Sequence, residues 1–292
     1  METVSFVILH YGDWKTTDTC VQSILKMEHQ ERIRLVIVDN DIQKSGRERK
    51  EFAVFYEGDP RISVLTIREN GGFSYANNQG YRYAREELES SYIIILNNDI
   101  EFPQRDFLKR LDESRGRYLC HILGPDIVRA GAGEHQNPMD VRLRTAEEAR
   151  YTVRMNRLAL AVYPAVYPLL RRKLKKEQEK KLRRKKEEEK FYQEIQENIV
   201  PFGACLVFTP DFVEKEELAF VPETRFFYEE YILAYRCQKK KYRIVYDPSL
   251  KVLHENGAST RKTYRNEKKR IKFMMERTKE AAEIYLEMIT GG

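Results

Sequence analysis

The residues best suited to chemistry stand at the ends of apolar runs. Tyr92–Leu96 reads YIIIL and is followed at once by Asn97, Asn98 and Asp99, so a buried strand delivers a carboxylate to a sheet edge. A carboxylate there can hold Mg2+ or Mn2+ against a diphosphate, because both ions take a few carboxylate oxygens and complete their shell with phosphate oxygens. Strand-end Asn and Asp also form turns and helix caps, and both roles stay open. Val4–Leu9 ends in His10, Tyr11 and Asp13, and Leu35–Val38 ends in Asp39 and Asn40. In ENGGFSYANNQG, Glu69–Gly80, the glycines Gly71 and Gly72 lie between a strand and a helix, where backbone amides either cradle phosphate or close a tight turn. In FFYEEYILAYR, adjacent Glu229 and Glu230 open a helix behind three aromatic residues. An apolar setting raises a carboxylate toward the range of a general base, a helix N-terminus opposes that rise, and the helix dipole alone also favours acids there. His254, after KVL, offers either an imidazole for a Mn2+-like ion or a structural hydrogen bond.

The elements that must position these groups read as an α/β fold. Strands Val4–Leu9, Leu35–Val38, Ile62–Ile67 and Tyr92–Leu96 alternate with helices Thr17–Lys26 and Tyr75–Leu88, the pattern of βαβ units around a mainly parallel sheet. Three of these strands end in polar groups, and ligands of open α/β sheets bind beyond the carboxyl ends of strands. Asp140–Asn198 is charged and helical and reads as an insertion within a single domain spanning 1–292. Core-like sequence returns at Ile199–Thr209, followed by a helix Glu229–Lys240, short strands Arg243–Tyr246 and Lys251–Leu253, and a helix from about Tyr264 to Met288 within 263–292. Arg236, two turns along its helix, is placed to pair with Glu229 or Glu230. GEHQNP, Gly133–Pro138, reads as a polar turn or an acceptor-side loop.

Composition narrows the classes. With 292 residues, 41% of them hydrophobic, the chain can bury one substantial core. Cys20, Cys120, Cys205 and Cys237 are scattered, with no C-x-x-C pair and no secretory signal, so reduced thiols and a cytoplasmic setting are expected. No apolar run reaches the roughly 18 residues of a spanning helix. Arg171–Lys190 holds twelve basic and five acidic residues, a net +7 against +6 for the whole chain, so the basic character belongs to one segment. That segment follows the apolar, Pro-interrupted Leu158–Leu170, a combination that fits peripheral attachment to the inner face of the cell membrane, a solvated arm, or a contact between copies. It lacks interleaved aromatics and is diluted by Glu, which argues against nucleic acid as a partner.

Taken in order, VSFVILHYGDW, LVIVDN, ENGGFSYANNQG, IIILNNDIEF, PFGACLVFTP and FFYEEYILAYRCQKKKYRIVYDPSLKVLH resemble the family 2 glycosyltransferases, especially the bacterial rhamnosyltransferase-like members that build surface polysaccharides. The likeness covers residues 3–128 and 199–260. It implies the GT-A fold, a Rossmann-like mixed sheet with flanking helices, here carrying the charged helical insertion. It implies a UDP- or dTDP-sugar donor, a glycan or lipid-linked acceptor and a divalent cofactor, Mn2+ or Mg2+. His10, Tyr11 and Asp39 would bind base and ribose; Asn70, Gly72, Phe73, Asn78, Asn97 and Asn98 would shape the nucleotide-sugar pocket; Asp99 and His254 would hold the metal; Glu230, with Glu229 before it, would be the catalytic base of an inverting displacement. The chain departs from the family pattern at Asn97, where the first acid of the DxD-like motif is expected, at Glu230 in place of the more usual Asp, and at Ile232 in place of a further acid. These departures keep open a binding or scaffold subunit without turnover. A nucleotidyltransferase is disfavoured by the absence of a basic Gly-rich loop near the N-terminus.

Overall fold

The computed structural model describes residues 2–69, 71–187, 189–255 and 266–291, with the backbone alone for 178–187 and 189. Asn70 and residues 256–265 lie outside the described residues. Its strands are β1 (Val4–His10), β2 (Ile33–Asp39), β3 (Ile62–Thr66), β4 (Tyr92–Asn97), β5 (Ile100–Glu101), β6 (Ile122–Arg129), β7 (Gln196–Glu197), β8 (Cys205–Phe208) and β9 (Ile244–His254). The helices are α1 (Trp14–Leu25), α2 (Gly46–Tyr56), α3 (Phe73–Glu86), α4 (Phe107–Tyr118), α5 (Ala146–Ala161), α6 (Tyr163–Glu187), α7 (Pro210–Val213), α8 (Glu229–Lys240) and α9 (Glu267–Thr290).

All strands join one sheet in the order β3-β2-β1-β4-β8-β6-β9-β5, with β7 on β9. The β3-β2-β1-β4 half is parallel; β8 runs antiparallel to β4 and β6, which makes the sheet mixed. Alternation splits the apolar side chains between two faces. Val7, Val36, Val38, Ile93 and Ile95 face one core, shared with α3, α8 and α9, whereas Phe6, Ile8, Leu35, Ile37, Ile94 and Leu96 face a second, shared with α1 and α4. The register pairs His10 with Asp39 and Leu9 with Asn97, so the polar ends of β1, β2 and β4 line up along one edge.

The two short strands expected at 243–246 and 251–253 form the single strand β9, which bulges where its register against β6 shifts between Pro125 and Asp126. Asp247 Oδ1 accepts the Ser249 N–H at 2.8 Å inside the bulge, and Leu250 packs inward, so the chain resumes pairing instead of turning away. The charged 140–198 segment is not one appendage. α5 buries Ala149 and Val153 in the same core as Ala281, Ala282 and Tyr285 of α9, and β7 joins the sheet. Val162 separates α5 from α6, and Pro164 sits in the first turn of α6, where a missing N–H costs nothing. All four cysteines are buried free thiols.

Candidate functional site

His10 ends β1 buried and stacks on Phe52 of α2 with ring centroids 4.1 Å apart. Thr17 Oγ1 accepts from Asn98 Nδ2 at 2.9 Å, so its own hydroxyl proton is free to go to His10 Nδ1, 2.6 Å away. Burial lowers the His10 pKa to about 4, against the opposing pull of Asp39 and Asp41, and the ring is neutral with its proton on Nε2. Asn98 also reaches the Tyr11 carbonyl at 3.4 Å. Thr17, which the sequence did not single out, thus ties the ends of β1 and β4 together.

Asp39 is buried, with Oδ2 on Arg49 Nε at 2.6 Å and Oδ1 on the Asp41 N–H at 3.1 Å. Arg49 Nη2 also donates to the carbonyls of Asp39 and Ile67, clamping the ends of β2 and β3. It stands on α2, a helix absent from the sequence reading although Ser45 and Glu48 form a capping box that marks its start. A cleft of about 420 Å³ opens beside these groups, lined among others by His10, Trp14, Asp39, Arg49, Phe52 and Phe55. The Oδ1 atoms of Asn40, just after β2, and Asn77, in the second turn of α3, are buried acceptors with no partner among the described residues, the kind of group a ligand N–H or O–H satisfies.

The phosphate-cradle reading of Gly71 and Gly72 does not hold for the flanking amides. Gly71 N–H goes to the Glu69 carbonyl at 3.1 Å and Phe73 N–H to the Arg225 carbonyl at 2.7 Å. Gly72 takes φ 92°, and a Cβ there would stand 2.4 Å from the Arg225 oxygen, so glycine is required for the 221–226 loop to close on α3. Asn78 presents no free amide either: Nδ2 donates to the Phe220 carbonyl at 2.9 Å and Oδ1 accepts the Phe220 N–H at 3.0 Å. With Phe73 edge-on to Phe220, it builds a wall.

Asp99 and His254 do meet. The β5–β9 pairing sets Ile100 opposite His254, and His254 Nε2 lies 3.2 Å from Asp99 Oδ1, both residues buried. His254 Nδ1 contacts Gln136 Oε1 at 2.7 Å, a partner that orients the ring with Nε2 toward the carboxylate. A carboxylate oxygen and an imidazole nitrogen set this close are a donor pair that a Mn2+-like ion can take. Among the described residues no third His, Cys, Asp or Glu joins them, so further ligands would be diphosphate oxygens and water.

The segment Phe202–Ala204 joins this pair to the acids. The Phe202 ring lies 6.1 Å from His254, the Ala204 carbonyl accepts the Asn97 N–H at 3.0 Å, and Gly203 N–H donates to Glu230 Oε1 at 3.3 Å. Gly133–Pro138 supports it from behind through Gln136 and through Asn137, whose side chain bridges the Pro125 carbonyl and the Phe202 N–H. Glu229 and Glu230 open α8 directly after Phe227 and Tyr228, both at positive φ, 70° and 63°. Non-glycine residues held there are strained, and such strain fixes the direction of side chains that follow. Burial, then the neighbouring Glu230, pushes the Glu229 carboxyl up to about 8, and its Oε1 has no partner among the described residues. Burial also raises Glu230, with the Gly203 N–H opposing. Arg236 does not pair with either acid: two turns span about 10 Å, and it binds Glu216 at 3.0 Å, alongside Lys240 and Tyr242.

A family profile described as Glycosyl transferase family 2 matches residues 5–177, more than half of the chain. The chain belongs to this family. Among solved structures, the fold is similar to that of S. aureus TarS 1–349, both free and in complex with UDP, at 11% identity and a TM-score of 0.52 over 86% of this chain and 60% of that one. It is also similar to GalNAc-T7 with UDP, GalNAc and Mn2+, at 13% identity and a TM-score of 0.54 over 87% of this chain and 44% of that one. The chain spans less than two thirds of the length of either, and at such identity the likeness is one of fold. No curated protein matches it in sequence. For a family 2 member, the polar strand ends, the Asp99–His254 pair and the two acids of α8 therefore gather on one edge of a GT-A sheet.

Proposed function

We propose that the protein is an inverting glycosyltransferase that moves a sugar from a UDP- or dTDP-linked donor to an acceptor hydroxyl. The observation that carries this reading is the Phe202–Ala204 segment, which contacts both the base candidate Glu230 and the metal candidate His254. Asp99 Oδ1 and His254 Nε2 would hold a divalent cation, which when bound neutralises charge on the departing diphosphate. The base and ribose of the donor would lie at the ends of β1 and β2, against His10, Tyr11 and Asp39, with the unpartnered Asn40 and Asn77 oxygens accepting from its donors. Burial and the neighbouring Glu230 raise Glu229, burial raises Glu230 against the Gly203 N–H, and the two acids titrate as a pair. Glu230 then takes the acceptor hydroxyl proton as the acceptor oxygen bonds to the anomeric carbon, and the bond from that carbon to the diphosphate oxygen breaks with its electron pair leaving on the diphosphate. The sequence resemblance supports a lipid-linked glycan acceptor in bacterial surface polysaccharide synthesis, with rhamnosyl transfer as the nearest precedent, on the cytoplasmic side.

Calorimetric titration of UDP and dTDP, each with Mn2+ and with chelator, tests this. Metal-dependent binding lost in Asp99→Ala and kept in Glu230→Gln, with donor turnover falling by about 10² or more in Glu230→Gln, is the expected result. Nucleotide binding indifferent to metal and to Asp99 would sink the site assignment, and equal turnover in Glu230→Gln would sink the base.

A further inference from the structure

α5 has two dissimilar faces. Its inner face places Ala149 and Val153 against α9. Its outer face carries Tyr151, Met155, Leu158 and Val162 at 4-3-4 spacing, one continuous stripe whose members are 61%, 40%, 54% and 52% exposed. Exposed Leu169 and Leu174 extend the apolar surface onto α6, so six of the fourteen large apolar side chains exposed among the described residues fall between 151 and 174. The charge on the same stretch has one sign. From Ala149 to Lys176 there are eight Arg or Lys and no Asp or Glu. Of these, Arg157 and Arg171 pair with Glu283 and Glu267 of α9. Arg150, Arg154, Arg172, Lys173, Lys175 and Lys176 are solvent-exposed.

We propose that this outer face of α5, continued by the first turns of α6, docks on an anionic lipid surface. Apolar side chains that enter the headgroup boundary, flanked by cations that meet lipid phosphates, describe an interfacial helix. A second copy fits less well. A twofold contact sets a face against itself, and this face would then oppose its many cations with only Glu147 and Glu148 of α5 and Glu177 of α6, the last already paired with Lys173, to offset them. A nucleic acid would neutralise the cations but leave the stripe in water. The stripe is fixed in place, because Tyr163 Oη donates to the Lys268 carbonyl at 2.6 Å and Tyr285 Oη to the Arg144 carbonyl at 2.7 Å, bracketing α5 on α9 at both ends. Tyr285 in turn stacks on Tyr228, the residue before Glu229, with ring centroids 5.6 Å apart. The docking face thus stands one helix layer from the acids of α8, which suits a lipid-linked acceptor, yet the proposal does not depend on the transfer reading.

Co-sedimentation with vesicles of phosphatidylcholine alone, and of phosphatidylcholine with phosphatidylglycerol, tests it on the full chain. The wild-type protein is expected to pellet with the anionic vesicles, to bind neutral ones at least tenfold more weakly, and to lose binding as salt is raised. Met155→Glu with Leu158→Glu, both exposed, should lower anionic-vesicle binding at least tenfold while the circular dichroism spectrum and UDP binding stay unchanged. Equal pelleting of the variant and the wild type would overturn the proposal, as would a wild-type dimer, seen by analytical ultracentrifugation, that the same variant abolishes. Vesicle binding without UDP binding would leave this face intact and count against the transfer reading alone.

Discussion

His254 meets Asp99 through Nε2 and Gln136 through Nδ1, so the side chain that decides which nitrogen faces the carboxylate is an amide with no charge and no place in the sequence-stated site. A buried partner on Nδ1 fixes the orientation of the ring and so the direction in which Nε2 can reach a cation. Gln136 is held for this task by its own N–H on the Ile127 carbonyl at 2.8 Å. Replacing Gln136 with Leu removes the acceptor while keeping the bulk. We expect Mn2+-dependent UDP binding to weaken by about 10- to 100-fold, the range seen when partners of metal-bound histidines are lost, with metal-free UDP binding unchanged. Calorimetry with and without chelator reads the two quantities separately. An unchanged metal increment would show that Asp99 orients His254 without help.

At the scale of elements, the acid-bearing helix is aligned by contacts outside itself. α8 begins without a side-chain cap, and Gly203 supplies its backbone N–H to Glu230 at a distance that leaves no room for a methyl group: a Cβ at residue 203 would lie 2.7 Å from Oε1. Gly203→Ala should therefore push the Glu230 carboxylate off its donor and lower donor turnover by about 10²-fold, since small misplacements of a reacting group carry costs of that size. UDP binding, proposed for the ends of β1 and β2, should persist; a joint loss of both would show that the substitution disturbs the whole edge. The same contacts explain what the sequence could and could not say. β1, β2, β4 and α8 were legible because a run such as IIIL, or an amphipathic stretch closed by Lys239 and Lys240, declares its own period. α2 was missed, and α5 was not resolved within the helical 140–198 stretch, although Ser45 with Glu48 and Thr145 with Glu148 marked their starts, because charged side chains crowd both helices and hide short inner faces such as Ala149 and Val153. The roles of Thr17, Arg49, Gln136 and Gly203 arise only when strands distant in sequence are brought side by side, and no local pattern encodes them. Asn78 and Arg236 show the converse, polar residues that looked available and are consumed by Phe220 and Glu216.

For the whole molecule, two buried titrating groups of the site pull stability in opposite directions with pH. His10 has its proton affinity lowered by burial, to about 4 from an ordinary 6.5, so below the higher value the unfolded chain takes up a proton that the folded protein refuses, and stability falls as the solution is acidified toward pH 4. Glu229 is raised by burial and by Glu230, to about 8 from an ordinary 4.5, so between those values the folded protein holds a proton that the unfolded chain releases, and stability falls as pH rises through the interval. Both dependences come from the strand-end and helix-start geometry that gathers the site, and Glu229→Gln removes the second without altering shape. In denaturant titrations from about pH 5 to about pH 8.5, the variant should lose less stability than the wild-type protein, by ~4 kcal/mol at ~1.4 kcal/mol for each pH unit over which the titration is displaced. Below about pH 4.5 the acid limbs should run parallel in both proteins, because Glu229 is there protonated folded and unfolded alike and the His10 dependence is common to both. Parallel curves across the whole range would mean that Glu229 ionises in the folded protein as it does in the unfolded chain.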